Sequence, residues 1–136
     1  MSRTKIRKAL ESAVAAISPT VATAWENVPF TIPAATLPYQ RVSVDFAEPR
    51  NTEFGPVFQE RGYLQVALVY PAGKGTADVE ARASLLRAAF ARGTTLTADG
   101  QVVTVSLTPN ILPGFNDDEG RYVLTVRVPF FAQITN

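Results

Sequence analysis

The chain has 136 residues, 46% hydrophobic and 18% charged, which is enough apolar material for one globular domain over residues 1–136. Its 13 Lys and Arg nearly balance 12 Asp and Glu, and a formal net charge of +1 gives no global field to draw it to nucleic acid or to a membrane surface. It contains neither Cys nor His, which excludes disulfides and thiolate metal sites and removes the commonest zinc ligand and the commonest acid-base catalyst.

At the start of the chain, Ile6, Leu10, Ala13, Val14 and Ile17 fall at helical spacing and predict a helix from about Arg3 to Ser18, closed by Pro19. Basic residues precede this apolar patch, but Glu11 and Ser12 interrupt it, so it does not read as a secretory signal. No run of about 18 apolar residues is present to span a membrane. A short strand is expected at Thr20 to Trp25, then an extended excursion in which Pro29, Pro33 and Pro38 forbid regular structure. Val42, Val44 and Phe46 alternate with Arg41, Ser43 and Asp45, the pattern of a strand with one wet face.

The segment from Glu48 to Glu60 is rich in charge, Pro and Gly and reads as a projecting loop or hairpin arm. "YLQVALVY" follows as a central strand, apolar on both faces. A second helix over about Thr76 to Arg92 buries Val79, Ala83, Leu86 and Phe90, with Thr76 as an N-cap, Asp78 and Glu80 in the first turn and Arg87 near the end. Asp99 and Gly100 mark a tight hairpin turn between two β-rich runs. The segment from Asn110 to Gly120 is a second Pro-, Gly- and acid-rich loop. The last strand puts Tyr122, Leu124, Val126 and Val128 on one face and Thr125 and Arg127 on the other, with Pro129 at an edge or strand end. The fold class expected is α+β: a mostly antiparallel mixed sheet with two helices packed on one face, in the order α-β-β-β-α-β-β-β.

The most suggestive chemical motif is Gly73-Lys74-Gly75-Thr76, set between a strand and a helix like a phosphate-binding loop. That motif needs Lys directly before Ser or Thr and a further glycine five positions before the Gly-Lys pair. Here Gly75 separates Lys74 from Thr76, and the position of the earlier glycine is Leu68, inside the strand. A turn is the better reading. Asp117, Asp118 and Glu119 are consecutive, whereas a calcium loop spaces its ligands at alternate positions, so a solvated turn fits better there too. Arg3, Lys5, Arg7 and Lys8 crowd the first turns of the first helix, where the dipole disfavours cations by a few tenths of a kcal/mol each. They form either a solvated end or a basic contact for an acidic partner surface or nucleic acid. Phe54, Phe58 and Phe115 lie in the two long loops and either cover the core or make an apolar patch for a partner subunit.

Several segments together carry a resemblance: "SRTKIRKALE", "AWENVPF", "LPYQRVSVDFAEP", "FQERGYLQVALVYPAGKGTADVEARASLLRAAFARG" and "RYVLTVRVPFFAQI". Over most of its length the chain resembles small phage-encoded proteins of the tail terminator family of long, non-contractile phage tails. The resemblance implies an α+β structural subunit of the virion, in the tail or neck, assembled in the host cytoplasm and neither an enzyme nor a cofactor protein. It implies a homo-oligomer, a hexameric ring, with the tail tube protein and the head-tail connector as partners, and with no membrane and no sequence-specific nucleic acid among them. The contact elements expected are the two loops, through Glu53, Phe54, Phe58 and Arg61 in the first and Phe115, Asp117 and Asp118 in the second. One alternative is another head-tail neck or completion protein. The other is a small nucleotide-binding or hydrolytic domain using the Lys74 loop, which predicts stabilisation by ATP or phosphate.

Overall fold

In the computed structural model, which describes residues 2–51 and 54–135, two long strands form the spine of the sheet. β3 (Val57–Tyr70) and β8 (Tyr122–Thr135) each run 14 residues and pair antiparallel along their whole length, from Val57 opposite Thr135 to Tyr70 opposite Tyr122. Around them lie β1 (Ala22–Trp25), β2 (Tyr39–Phe46), β4 (Thr95–Ala98) and β5 (Gln101–Val105), in the order β1-β2-β3-β8-β5-β4. Two short strands, β6 (Asn110–Ile111) and β7 (Phe115–Asn116), pair with β8 beyond the reach of β5. Among the described residues, only β1 and β2 pair in parallel. A parallel pair needs a crossover, and the proline-rich excursion between Trp25 and Tyr39 supplies it without a helix.

The fold is α+β, as the alternation of patterns implies. The six longer strands stand in the expected chain order, while β6 and β7 are additions inside the second loop. The helices are shorter than their periodic patterns: α1 covers Ser2–Ala15 and α2 covers Ala77–Ala89. Ser18-Pro19 is a cis peptide bond just beyond α1. The cap expected of Thr76 is not made by its hydroxyl. Its backbone is already near the helical region, at φ −113° and ψ −5°, whereas side-chain capping uses an extended residue.

Both helices cover one face of the sheet. Ile6, Leu10 and Val14 of α1 and Val79, Ala83 and Leu86 of α2 share one core with Leu64, Val66 and Leu68 of β3 and Leu124, Val126, Val128 and Phe130 of β8. Each fully buried Leu or Val side chain contributes about 1.5–3 kcal/mol of transfer free energy. The opposite face carries a smaller cluster of Tyr39, Val69 and Val123, against which Phe30 of the excursion packs. Arg121 fastens the excursion there: its Nη2 donates to the Pro33 carbonyl at 2.8 Å, and its guanidinium lies 5.1 Å from the Tyr39 ring centre. The hairpin turn is as expected, with Asp99 at φ 50° and Gly100 at φ 82°, both in the left-handed region that a tight antiparallel turn requires.

Candidate functional site

The basic start of α1 is tied back onto the sheet. Arg3 lies over the Phe46 ring, 4.5 Å from its centre, and its Nη2 is 3.6 Å from the carboxylate of buried Glu60. Arg7 Nη1 donates to Glu26 Oε1 at 2.7 Å, and Glu26 Oε1 also accepts the Val44 amide N–H at 2.9 Å. That amide hydrogen bond, reinforced by Arg7, lowers the Glu26 pKa, whereas burial raises that of neighbouring Glu11. Lys8 Nζ donates to Asp99 in the hairpin turn at 3.1 Å. Three of the four cations thus have partners that are distant in sequence and adjacent in the fold. Lys5, half-buried, is the fourth.

The first loop is shorter than its composition suggests, because β3 begins at Val57 and reclaims its last four residues. Phe58 is half-buried and packs on the main core, and Glu60 is buried opposite Ala132. Glu48 and Arg50 are drawn toward the strand, through an Arg61 Nε bond to the Glu48 carbonyl at 3.1 Å and a backbone bridge between Arg50 and Gln59. Arg61 itself is exposed, and Phe54 is fully exposed at the tip. Glu53 lies outside the described residues. Gly62 sits so close to β2 that an added Cβ would overlap the Asp45 carbonyl oxygen.

The second loop is fixed along its length. β6 pairs its start and β7 its middle to β8, and the Leu112 amide donates to the Thr125 carbonyl at 2.9 Å. Asp117 Oδ1 accepts the amides of Glu119 at 3.0 Å and Arg121 at 2.9 Å, an Asx turn that explains why an acid stands there. Phe115 is 55% exposed, and Asp118 is exposed beside it. Gly114 leaves room for the Tyr122 ring, whose hydroxyl would collide with any Cβ at that position.

Around Lys74, Gly73 and Gly75 adopt φ values of 77° and 72°, so the glycines serve a tight turn between β3 and α2. Lys74 is exposed.

One feature escaped the residue pattern. Arg82 of α2 is only 4% exposed, and Gln40 of β2 only 1%. Both line a depression of about 300 Å³ under the β1 flank, whose apolar wall includes Val14, Ile17 and Trp25. Arg82 Nη1 donates to the Pro19 carbonyl, while Arg82 Nε and Gln40 Oε1 have no partner among the described residues. No carboxylate among them forms an ion pair with Arg82. Burial lowers the Arg82 pKa, and the neighbouring Tyr70 hydroxyl opposes that shift. The helical period did mark the position, since Arg82 stands three residues after Val79 and four before Leu86, on the buried stripe.

Compared with known proteins, residues 5–130 match a family model described as phage tail terminator protein. A solved structure whose name states no function is similar at 26% identity and a TM-score of 0.75, the match covering 100% of this chain and 99% of that one. A chain from the virion of a native gene transfer agent particle shares the fold at a TM-score of 0.62 and 16% identity, over 99% of this chain and 98% of its own. No curated protein matches the chain.

Proposed function

The chain belongs to the phage tail terminator family, a family of structural virion proteins, and from that premise we propose that it forms a hexameric ring that caps the finished tail tube, stops its polymerisation and joins it to the head connector. The observation that carries this reading is the family match over residues 5–130 of a 136-residue chain. In a ring the subunit interface is head-to-tail and closes on itself. A ring with one face matched to the tube end and the other unmatched adds once and blocks further growth. Such a device works by shape and needs neither catalysis nor a cofactor. Its partners are the tail tube protein and the connector, not a membrane or a nucleic-acid sequence, and it assembles in the host cytoplasm before taking its place in the virion. The whole chain acts as the one terminator domain.

Subunit and tube contacts fall to the two loops, through exposed Phe54 and Arg61 with Glu53 on one, and Phe115 with Asp117 and Asp118 on the other. Phe58 supports the first from beneath. An exposed aromatic rimmed by polar residues is the kind of patch a partner buries. Lys5 and the outer faces of Arg3, Arg7 and Lys8 offer a basic contact for an acidic neighbour. Tube length tests the function directly: tail tube protein polymerised with this protein should give a capped length distribution by electron microscopy, and an unchanged distribution would contradict capping. Replacing Phe54 or Phe115 by Asp should dissociate the ring while leaving the thermal unfolding of the subunit unchanged. An unchanged oligomer would reject the assignment of that loop.

A further inference from the structure

One row of residues crosses five strands of the sheet: Ala22 pairs with Tyr39, Tyr39 with Val69, Val69 with Val123, and Val123 with Phe115. Ala22 is on the wall of the Arg82 depression at one flank of the sheet, and Phe115 stands at the other flank. Four interstrand steps of about 4.8 Å separate them by roughly 19 Å at the same height on the sheet. In a head-to-tail ring one patch of each copy meets a different patch of the next, so complementary features on opposite flanks of the sheet can face one another between neighbours.

The two features complement each other chemically. The depression has an apolar wall, a buried guanidinium without an ion-pair partner among the described residues, and a buried amide oxygen without a donor. An uncompensated buried charge is costly, and a well-placed carboxylate that reaches it offsets part of that cost. The opposite flank presents an exposed phenyl ring at Phe115 followed within four residues by exposed Asp118 and Glu119. Of the three consecutive acids, it is Asp117 that caps the loop's own amides, so Asp118 and Glu119 are available to a neighbour. The backbone pairing of β6 and β7 to β8 holds this segment in place before contact, which lowers the ordering cost of docking.

We infer that the Phe115–Glu119 segment of one copy docks in the Arg82 depression of the next, the phenyl ring against its apolar wall and an acidic side chain toward the guanidinium. This rests on the ring reading above and names the surfaces that close it.

The chain lacks cysteine, so an engineered pair gives a clean readout. Thr20, exposed at the rim of the depression, and Asp118 are changed in one chain, Thr20→Cys and Asp118→Cys. Thr20 and Asp118 lie two and three residues along the chain from Ala22 and Phe115, on opposite flanks of the sheet that stand roughly 19 Å apart, so a disulfide joining them is expected between copies and not within one chain. Oxidation in the presence of tail tube ends should therefore give a ladder of covalent oligomers on a non-reducing gel, ending at the ring. A separate variant, Asp118→Lys with Glu119→Lys, alters only exposed side chains. It should weaken subunit association at least about tenfold while leaving the unfolding midpoint unchanged. If the cysteine-free parent assembles but the pair stays uncrosslinked and the lysine variant associates normally, the docking inference is overturned and the ring reading stands. If the parent fails to assemble with or without tube ends, both fall.

Discussion

In the segment from Glu48 to Glu60 the described residues combine an anchored stem with an exposed Phe54, whereas that from Asn110 to Gly120 is a rim held by backbone pairing. In the first, Phe58 and Glu60 are packed into the fold while Phe54 stands clear of it. In the second, backbone pairing to β8 at its start and middle and the Asp117 turn after them leave side chains, not backbone, free to meet a partner. The difference matters for assembly because binding must offset whatever ordering it imposes. A preformed rim loses little freedom on contact, and an exposed side chain such as Phe54 loses its rotamer freedom when it is buried. On this account the second segment, if it is a contact, contributes more affinity per residue buried.

The largest effect that would break this comparison comes from the stem. Gly62→Val places side-chain atoms where the Asp45 carbonyl stands, so β2 and β3 must separate. Stability should fall by about 3 kcal/mol or more, read as a lower denaturant midpoint. Phe58→Ala removes a half-buried ring from the core edge and should cost about 2 kcal/mol. By contrast Phe54→Ser, at the tip of the same segment, should change stability by less than about 0.5 kcal/mol. A large loss there would mean that Phe54 takes part in holding the fold.

On the rim, Asp117→Ala leaves two amides without their acceptor and should cost about 1 kcal/mol, with faster hydrogen exchange at Glu119 and Arg121. The smallest effect lies outside both segments. Glu26 has its pKa lowered chiefly by the Val44 amide hydrogen bond and then by Arg7. A depressed folded-state value means that its stabilisation is present above the ordinary carboxylate range, near 4.5, and is lost as pH falls through the lower folded value. Unfolding free energy measured as a function of pH should therefore decline on acidification below that point. Glu26→Gln should flatten the decline.

Much of the scaffold was legible because it rests on local periodicity. The buried stripe of Ile6, Leu10 and Val14, the stripe of Val79, Ala83 and Leu86, and the Asp99-Gly100 turn all follow from spacing or turn chemistry within a few residues. What escaped depends on partners far along the chain. Val57 to Glu60 became strand because residues 132–135 lie beside them, and the loop composition around Pro56 carries no sign of that pairing. β6 and β7 are two residues each and exist through their registry with β8. The cations of α1 looked unfavourable by dipole alone, and their partners Glu26, Glu60 and Asp99 come from the turn after β1, from β3 and from the β4–β5 turn. Arg82 escaped for another reason: its position was on the buried stripe, but a charged side chain is ordinarily turned outward. Of the expected contact residues, Phe54, Arg61, Phe115 and Asp118 are at the surface, while Phe58 and Asp117 are used largely within the fold.

The native mass of the purified protein, alone and mixed with its tail tube protein, tests the central claim most directly. A six-fold species, or one that forms only on tube ends and halts their growth, is the predicted result. A monomer that stays monomeric in the presence of tubes and leaves their growth unaltered would contradict it.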